Sequence, residues 1–152
     1  MAIRTNFNNS LKDALKSKDQ VAMSTIRLIM AALKDRDIAA RSKGNNEGID
    51  NTEILSMLQS MIKQRNDSIK MYNDGDRKDL ADREEAEIKV IQTFLPVQLS
   101  DEEVSTAIDE AIKETAAETI RDMGKVMGIL KTKYAGQIDM GKAGGAVKAK
   151  LG

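Results

Sequence analysis

The chain has 152 residues, with 24 Lys and Arg balancing 24 Asp and Glu and aromatic residues at only 3%. It contains no cysteine and no histidine, which excludes disulfides, thiolate nucleophiles, Cys/His zinc sites and imidazole acid–base catalysis. Leu, Ile, Val, Ala and nine methionines must supply the core, with methionine as the adaptable filler.

Apolar residues recur at helical spacing from the start. Ile3, Phe7, Leu11, Ala14 and Leu15 form one stripe. Asp19 can cap a second helix over 20–42, whose apolar face is Val21, Ile26, Leu28, Ile29, Ala32 and Leu33. The opening MAIRTNFNNS has no apolar h-region, and no run approaches a membrane span. Its basic, amphipathic character faintly resembles a mitochondrial presequence, but Asp13 and Asp19 interrupt it. The same stretch makes sense as a domain helix, so a cytoplasmic protein with no membrane partner is expected.

SKGNNEGID (42–50) reads as a loop broken by Gly44 and Gly48. Thr52 or a neighbour caps a third helix with the seam Ile54, Leu58, Met61, Ile62, Arg65, Ile69 and Tyr72, Arg65 being its polar exception. The turn NDGD (73–76) precedes a fourth helix carrying Leu80, Ala81, Ile88, Ile91, Phe94 and Leu95. Pro96, the only proline, is expected to stop that helix. Ser100 and Glu103 form a capping box for a fifth helix running to about Thr115, with Val104, Ala107, Ile108, Ala111 and Ile112 inward. The reading is all-α: a helical N-terminal domain of about four helices over 1–96, then a small three-helix C-terminal domain over 97–152.

The last two helices are copies of one motif. DMGKVMGILKTKY (122–134) recurs 17 residues later as DMGKAGGAVKAKL (139–151), with seven of thirteen positions identical. Each copy reads as a helix capped by its Asp, with apolar stripes Met123, Val126, Met127, Leu130, Tyr134 and Met140, Ala143, Gly144, Val147, Leu151. The opposite faces hold Gly124, Lys125, Gly128, Lys131 and Thr132, and then Lys142, Gly145, Ala146 and Ala149; Lys133, Lys148 and Lys150 flank them. Glycine inside a helix costs about 1 kcal/mol relative to alanine, and lysine in a first turn opposes the macrodipole. Both choices become sensible if a phosphate sits at each helix start, met by backbone N–H groups and an ammonium. The bland alternative is a small-residue helix crossing with solvated lysines. Charge follows the same division: 119–152 carry 7 Lys and Arg against 2 Asp and Glu, whereas 74–118 carry 5 against 14. Only Phe7, Tyr72, Phe94 and Tyr134 are aromatic, all on apparent core stripes, which favours backbone and shape recognition of a folded RNA over base stacking.

KQRNDSI (63–69), GDRKDLADREEAEIKVIQTFLPVQLSDEE (75–103) and DMGKVMG (122–128) look like the signature blocks of the YqeY-like proteins. These resemble the C-terminal domain of the GatB subunit of glutamine-dependent aspartyl/glutamyl-tRNA amidotransferase. The resemblance spans essentially the whole chain. It implies an association with tRNA, carried by Gly124, Lys125, Val126, Met127 and Gly128. The carbon–nitrogen ligase activity would belong to the larger enzyme, since no phosphate-loop, Ser/Lys amidase or metal motif is present. One departure lies in YAGQIDMGKAGG (134–145), where relatives usually carry a KGKAD-like turn and two basic positions are missing here.

Lys63, Arg65 and Arg77 admit two readings: secondary RNA or partner contacts, or an ion-pair network joining Arg65 or Lys63 to Asp79, Glu84 or Glu87. No residue is assigned a catalytic role, and no metal or cofactor is expected. The functional expectation is a tRNA-binding or tRNA-handling module with contacts at Gly124, Lys125, Gly128, Lys131, Lys133, Lys142, Lys148 and Lys150. The rivals are an adaptor docking on the amidotransferase subunits or another helical partner, and an enzyme of unrecognised type.

Overall fold

The structure, a computed structural model, describes residues 3–152. Among them are seven α-helices, one short 3-10 helix and no strand. The chain divides into two compact units, Met1–Leu95 and Pro96–Gly152.

The first unit holds α1 (Ile3–Ser17), α2 (Gln20–Ser42), α3 (Asn51–Asp74) and α4 (Lys78–Gln92). α2 begins where Asp19 accepts the Ala22 amide at 3.1 Å. The cap of α3 is Asp50, which accepts from the Glu53 amide at 2.9 Å; Thr52 already lies inside the helix. α4 ends at Gln92, four residues before Pro96. Thr93, Phe94 and Leu95 instead turn the chain through amide bonds to carbonyls three residues back, and the Thr93 hydroxyl donates to the Val90 carbonyl at 2.6 Å. Leaving the helix takes those residues because the position before a proline cannot stay helical.

α3 packs along α4, and α2 lies against both and against α1. Their shared core contains Phe7, Ile29, Leu33, Ile54, Leu58 and Ile91, with the Phe7 and Phe94 rings edge to face at 4.8 Å. Leu15, Val21 and Leu28 of the expected stripes are exposed. Val21 and Leu28 sit to one side of the face that Met23, Thr25, Ile26, Ile29 and Leu33 bury. Met57 and the loop residue Ile49 fill core places instead. α1 is a domain helix: Phe7 and Ala14 are buried in it.

The second unit holds α5 (Asp101–Thr115), the 3-10 helix (Ile120–Asp122), α6 (Met123–Lys133) and α7 (Met140–Leu151). The Ser100–Glu103 capping box is formed in both directions, at 3.2 and 3.0 Å. α5 packs on α6 and α7, which pack on each other. Ala107, Ile108, Ala111, Val126, Leu130 and Val147 are buried between them, together with Ala143 and the loop residue Ile138. Among the described residues no helix is long and apolar enough to cross a membrane.

Candidate nucleic-acid interface

The two helix starts of the repeat differ from each other and from the expected phosphate sites. Asp139 caps α7, accepting the amides of Gly141 at 2.9 Å and Lys142 at 3.2 Å. Those N–H groups are therefore already engaged by the chain's own carboxylate. Asp122 does not cap α6 at all. It closes the preceding 3-10 turn, where it accepts the amides of Glu118 and Thr119 at 3.0 and 3.3 Å while the Thr119 hydroxyl accepts from Arg121. These two amides, with Lys125 as a weaker contribution, hold the Asp122 carboxyl below its usual range. At α7 the first-turn amides are thus taken by the chain's own carboxylate, whereas α6 runs on directly from the 3-10 turn and its first amides receive no side-chain cap. The signal was in the sequence: Thr119-x-x-Asp122 is itself a capping box.

The faces of the two helices give the opposite result. A Cβ built on Gly124, Gly128 or Gly145 meets nothing within 4 Å. A small-residue helix crossing inside this chain does not explain them. Gly144 faces packed atoms, its Cβ position lying 3.5 and 3.9 Å from the Met123 and Met127 methyl groups, and that of Gly141 lies 3.3 Å from the Asp139 carboxylate. Three glycines therefore lie on exposed helix surface where alanine would fit and would stabilise the helix by about 1 kcal/mol each.

The lysines fall into two classes. Among the described residues, Lys125, Lys131, Lys142 and Lys148 are exposed and enter none of the ion pairs. Lys133 and Lys150, which are equivalent in the repeat, are both held by α5. Lys133 pairs with Glu114 at 2.8 Å, and Lys150 pairs with Asp109 at 2.6 Å. The repeat copies do not converge. Lys125, Gly128, Thr132 and Lys133 border a shallow groove of about 660 Å³ with Glu114 and Thr115 of late α5. Lys142 and Lys150 border a different cleft of about 380 Å³ beside Asp101, Val104 and Ser105 of early α5. In the divergent turn, Gly136 adopts φ 75° and its carbonyl accepts from Gln98 at 2.6 Å.

In the first unit the polar block resolves as an ion-pair network. The Arg65 guanidinium lies 2.9 Å from Glu87 and 3.9 Å from Glu84, with the Arg65 and Glu87 side chains only 13% and 12% exposed. Arg65 is thereby committed to joining α3 and α4, and a role in touching RNA or a partner does not describe it. Arg77 pairs locally with Asp79 at 3.3 Å on the surface. Lys63 is exposed.

A family model described as Yqey-like protein matches residues 4–151. Curated relatives share the description "Altered inheritance of mitochondria protein 41, mitochondrial". The one from Vanderwaltozyma polyspora is 33% identical over 71% of this chain and 57% of its own length. That from Lachancea thermotolerans is 31% identical over 72% of this chain and 57% of its own. A Saccharomyces cerevisiae relative is 30% identical over 84% of this chain and 69% of its own. The chain thus spans a little over half the length of the first two relatives.

Proposed function

Because this chain belongs to the Yqey-like protein family, we propose that it is a non-catalytic module whose C-terminal unit meets the sugar–phosphate backbone of a folded tRNA. The observation that carries the reading is the pairing of unpacked glycines with exposed lysines on the outer faces of α6 and α7. Glycine there lowers helix stability, and nothing inside the chain compensates. A ligand backbone approaching closely would account for it, with the neighbouring ammonium groups supplying counter-charge. With the α7 start engaged by Asp139, the proposed contacts there rest on lysine side chains. None of the four aromatic residues is fully exposed, which suits backbone contact over base stacking.

The link to an amidotransferase and the role of an adaptor for its subunits belong to the same proposal as its protein-binding alternative. Ile129 in the floor of the α6 groove favours that alternative, since an apolar contact there would serve a helix better than a phosphate. The proposed compartment is the cytosol; the names of the yeast relatives say mitochondrial of those proteins.

Fluorescence anisotropy of labelled, unfractionated tRNA against the full chain at rising salt separates the readings. The tRNA reading expects affinity to fall linearly on log–log axes, each phosphate contact adding about 0.7–0.9 to the slope. No binding at low salt, together with nuclease-resistant capture of an amidotransferase subunit, would select the adaptor.

A further inference from the structure

Lys133 and Lys150 occupy the same position of the repeat, yet α5 holds them differently. The Lys150 ammonium donates to Asp109 at 2.6 Å and to the Ser105 hydroxyl at 3.0 Å, and lies 3.4 Å from the Ser105 carbonyl. Its side chain is 31% exposed. Lys133 has one partner, Glu114, at 2.8 Å, and both side chains are 53% exposed. That pair lies on the rim of the groove that also carries Lys125 and the unpacked Gly128.

We infer that Glu114 is a built-in competitor for phosphate, holding Lys133 at the α6 groove until a polyanion displaces it, while Asp109 keeps Lys150 as a fixed part of the scaffold. An exposed lysine–carboxylate pair contributes little to stability, so breaking it costs little. A run of phosphates offers an ammonium more charge and more acceptor oxygens than a single solvated carboxylate, and its binding releases counterions. Glu114 can turn into water once released, because half of its side chain is already there. Asp109 is itself 65% exposed, so what holds Lys150 is the number of its partners: three oxygens would have to be given up together. Glu114 thereby weakens phosphate binding at Lys133 by a modest factor without blocking it. This rests on the α6-face reading proposed above.

The test is a double-mutant cycle on the full chain, with labelled tRNA and inorganic polyphosphate as two separate probes. Glu114→Gln is expected to tighten both by roughly two- to fivefold, the equivalent of one exposed ion pair. The log–log salt slope should stay near the parent value, since Lys133 meets the same phosphate in both chains. In a Lys133→Gln background the same substitution should change nothing. A Glu114→Gln gain that persists without Lys133 would mean diffuse charge and would overturn the inference, as would no gain at all. Asp109→Asn should lower the melting temperature and tighten binding less than Glu114→Gln; equal tightening with an unchanged melting temperature would overturn the asymmetry. If polyphosphate obeys the cycle and tRNA does not bind, the tRNA reading fails and the competitor stands. If tRNA binds the parent and the cycle is null, the competitor fails and the tRNA reading stands.

Discussion

The guanidinium of Arg4 grips the carboxylate of Asp37 through two hydrogen bonds, at 2.7 and 2.9 Å, and so ties the start of α1 to the last third of α2. The same two groups fix the loop that follows. Arg4 also donates to the Ile49 carbonyl at 2.9 Å, and the Ile49 amide donates to Asp37 at 3.0 Å. Ile49 is thereby pinned into the core. Gly48 makes the arrangement possible: its φ is +89°, and a Cβ there would lie 2.6 Å from an Asp37 oxygen.

Gly48→Ala should therefore destabilise the protein by about 1–3 kcal/mol, combining left-handed strain with a displaced carboxylate. Asp37→Asn should cost about 1–2 kcal/mol, because the ion pair with Arg4 becomes a contact between a cation and a neutral amide. The Arg4 hydrogen bonds hold the Asp37 carboxyl below its ordinary value. Its stabilisation is then complete above the unfolded value of about 3.9 and is lost as pH falls through the lower folded value. Urea melts between pH 7 and pH 3 should show the parent losing its advantage over Asp37→Asn on the acid side; a constant difference would contradict this.

Thr25 is fully buried, and among the described residues its hydroxyl has no hydrogen-bond partner. Thr25→Val keeps the shape and removes a desolvated polar atom, so the melting temperature should rise by an amount equivalent to about 1 kcal/mol. A drop on thermal denaturation would show that the hydroxyl is satisfied in solution.

α5 terminates with Ala116 in the left-handed region, φ 54° and ψ 36°, where its amide and that of Ala117 close the last turn. Alanine pays about 1 kcal/mol for that conformation, and glycine is the usual residue there. Ala116→Gly should accordingly gain about 0.5–1 kcal/mol net, read from denaturant midpoints at an unchanged slope.

Charge reversal on the repeat separates binding from folding. Lys125→Glu with Lys142→Glu should weaken tRNA binding and remove about 0.7–0.9 from the salt slope for each phosphate that is no longer neutralised. The single variants should differ in stability. Glu at 142 suits the first turn of α7 beside the dipole, so that variant should melt slightly higher. Lys125→Glu removes the cation near Asp122 and should melt slightly lower. Unchanged tRNA affinity in a folded double variant would end the phosphate assignment.

Helix starts and caps were readable where the donor and acceptor lie within a few residues, as at Asp19 and at Ser100 with Glu103. The network around Arg65 was readable too, since a lone arginine on an apolar seam needs an acid across the interface, and the fourth helix offers Glu84 and Glu87. Periodicity misplaced Leu15, Val21 and Leu28 because it gives the polar angle of a residue and not how far a neighbour reaches around the helix. Ile49 and Ile138 escaped it altogether: each is a single apolar residue in a polar loop, buried by tertiary packing. The partners of Lys133 and Lys150 were hidden for a related reason. Glu114 and Asp109 are 19 and 41 residues away along the chain, and α5 carries other acids with equal claim by composition.

The unpacked glycines also bear on motion. α6 is 11 residues long, carries Gly124 and Gly128 on open surface, and begins without a side-chain cap hydrogen bond. α5 is longer, contains no glycine and has a complete capping box. Local opening should therefore cost less in α6, and its amides should exchange with solvent ahead of those of α5. The face proposed to meet a partner is then more easily loosened than α5. A partner seated there must quiet the helix as well as touch it, and slowed exchange along α6 would register the ordering even where every side chain keeps its neighbours.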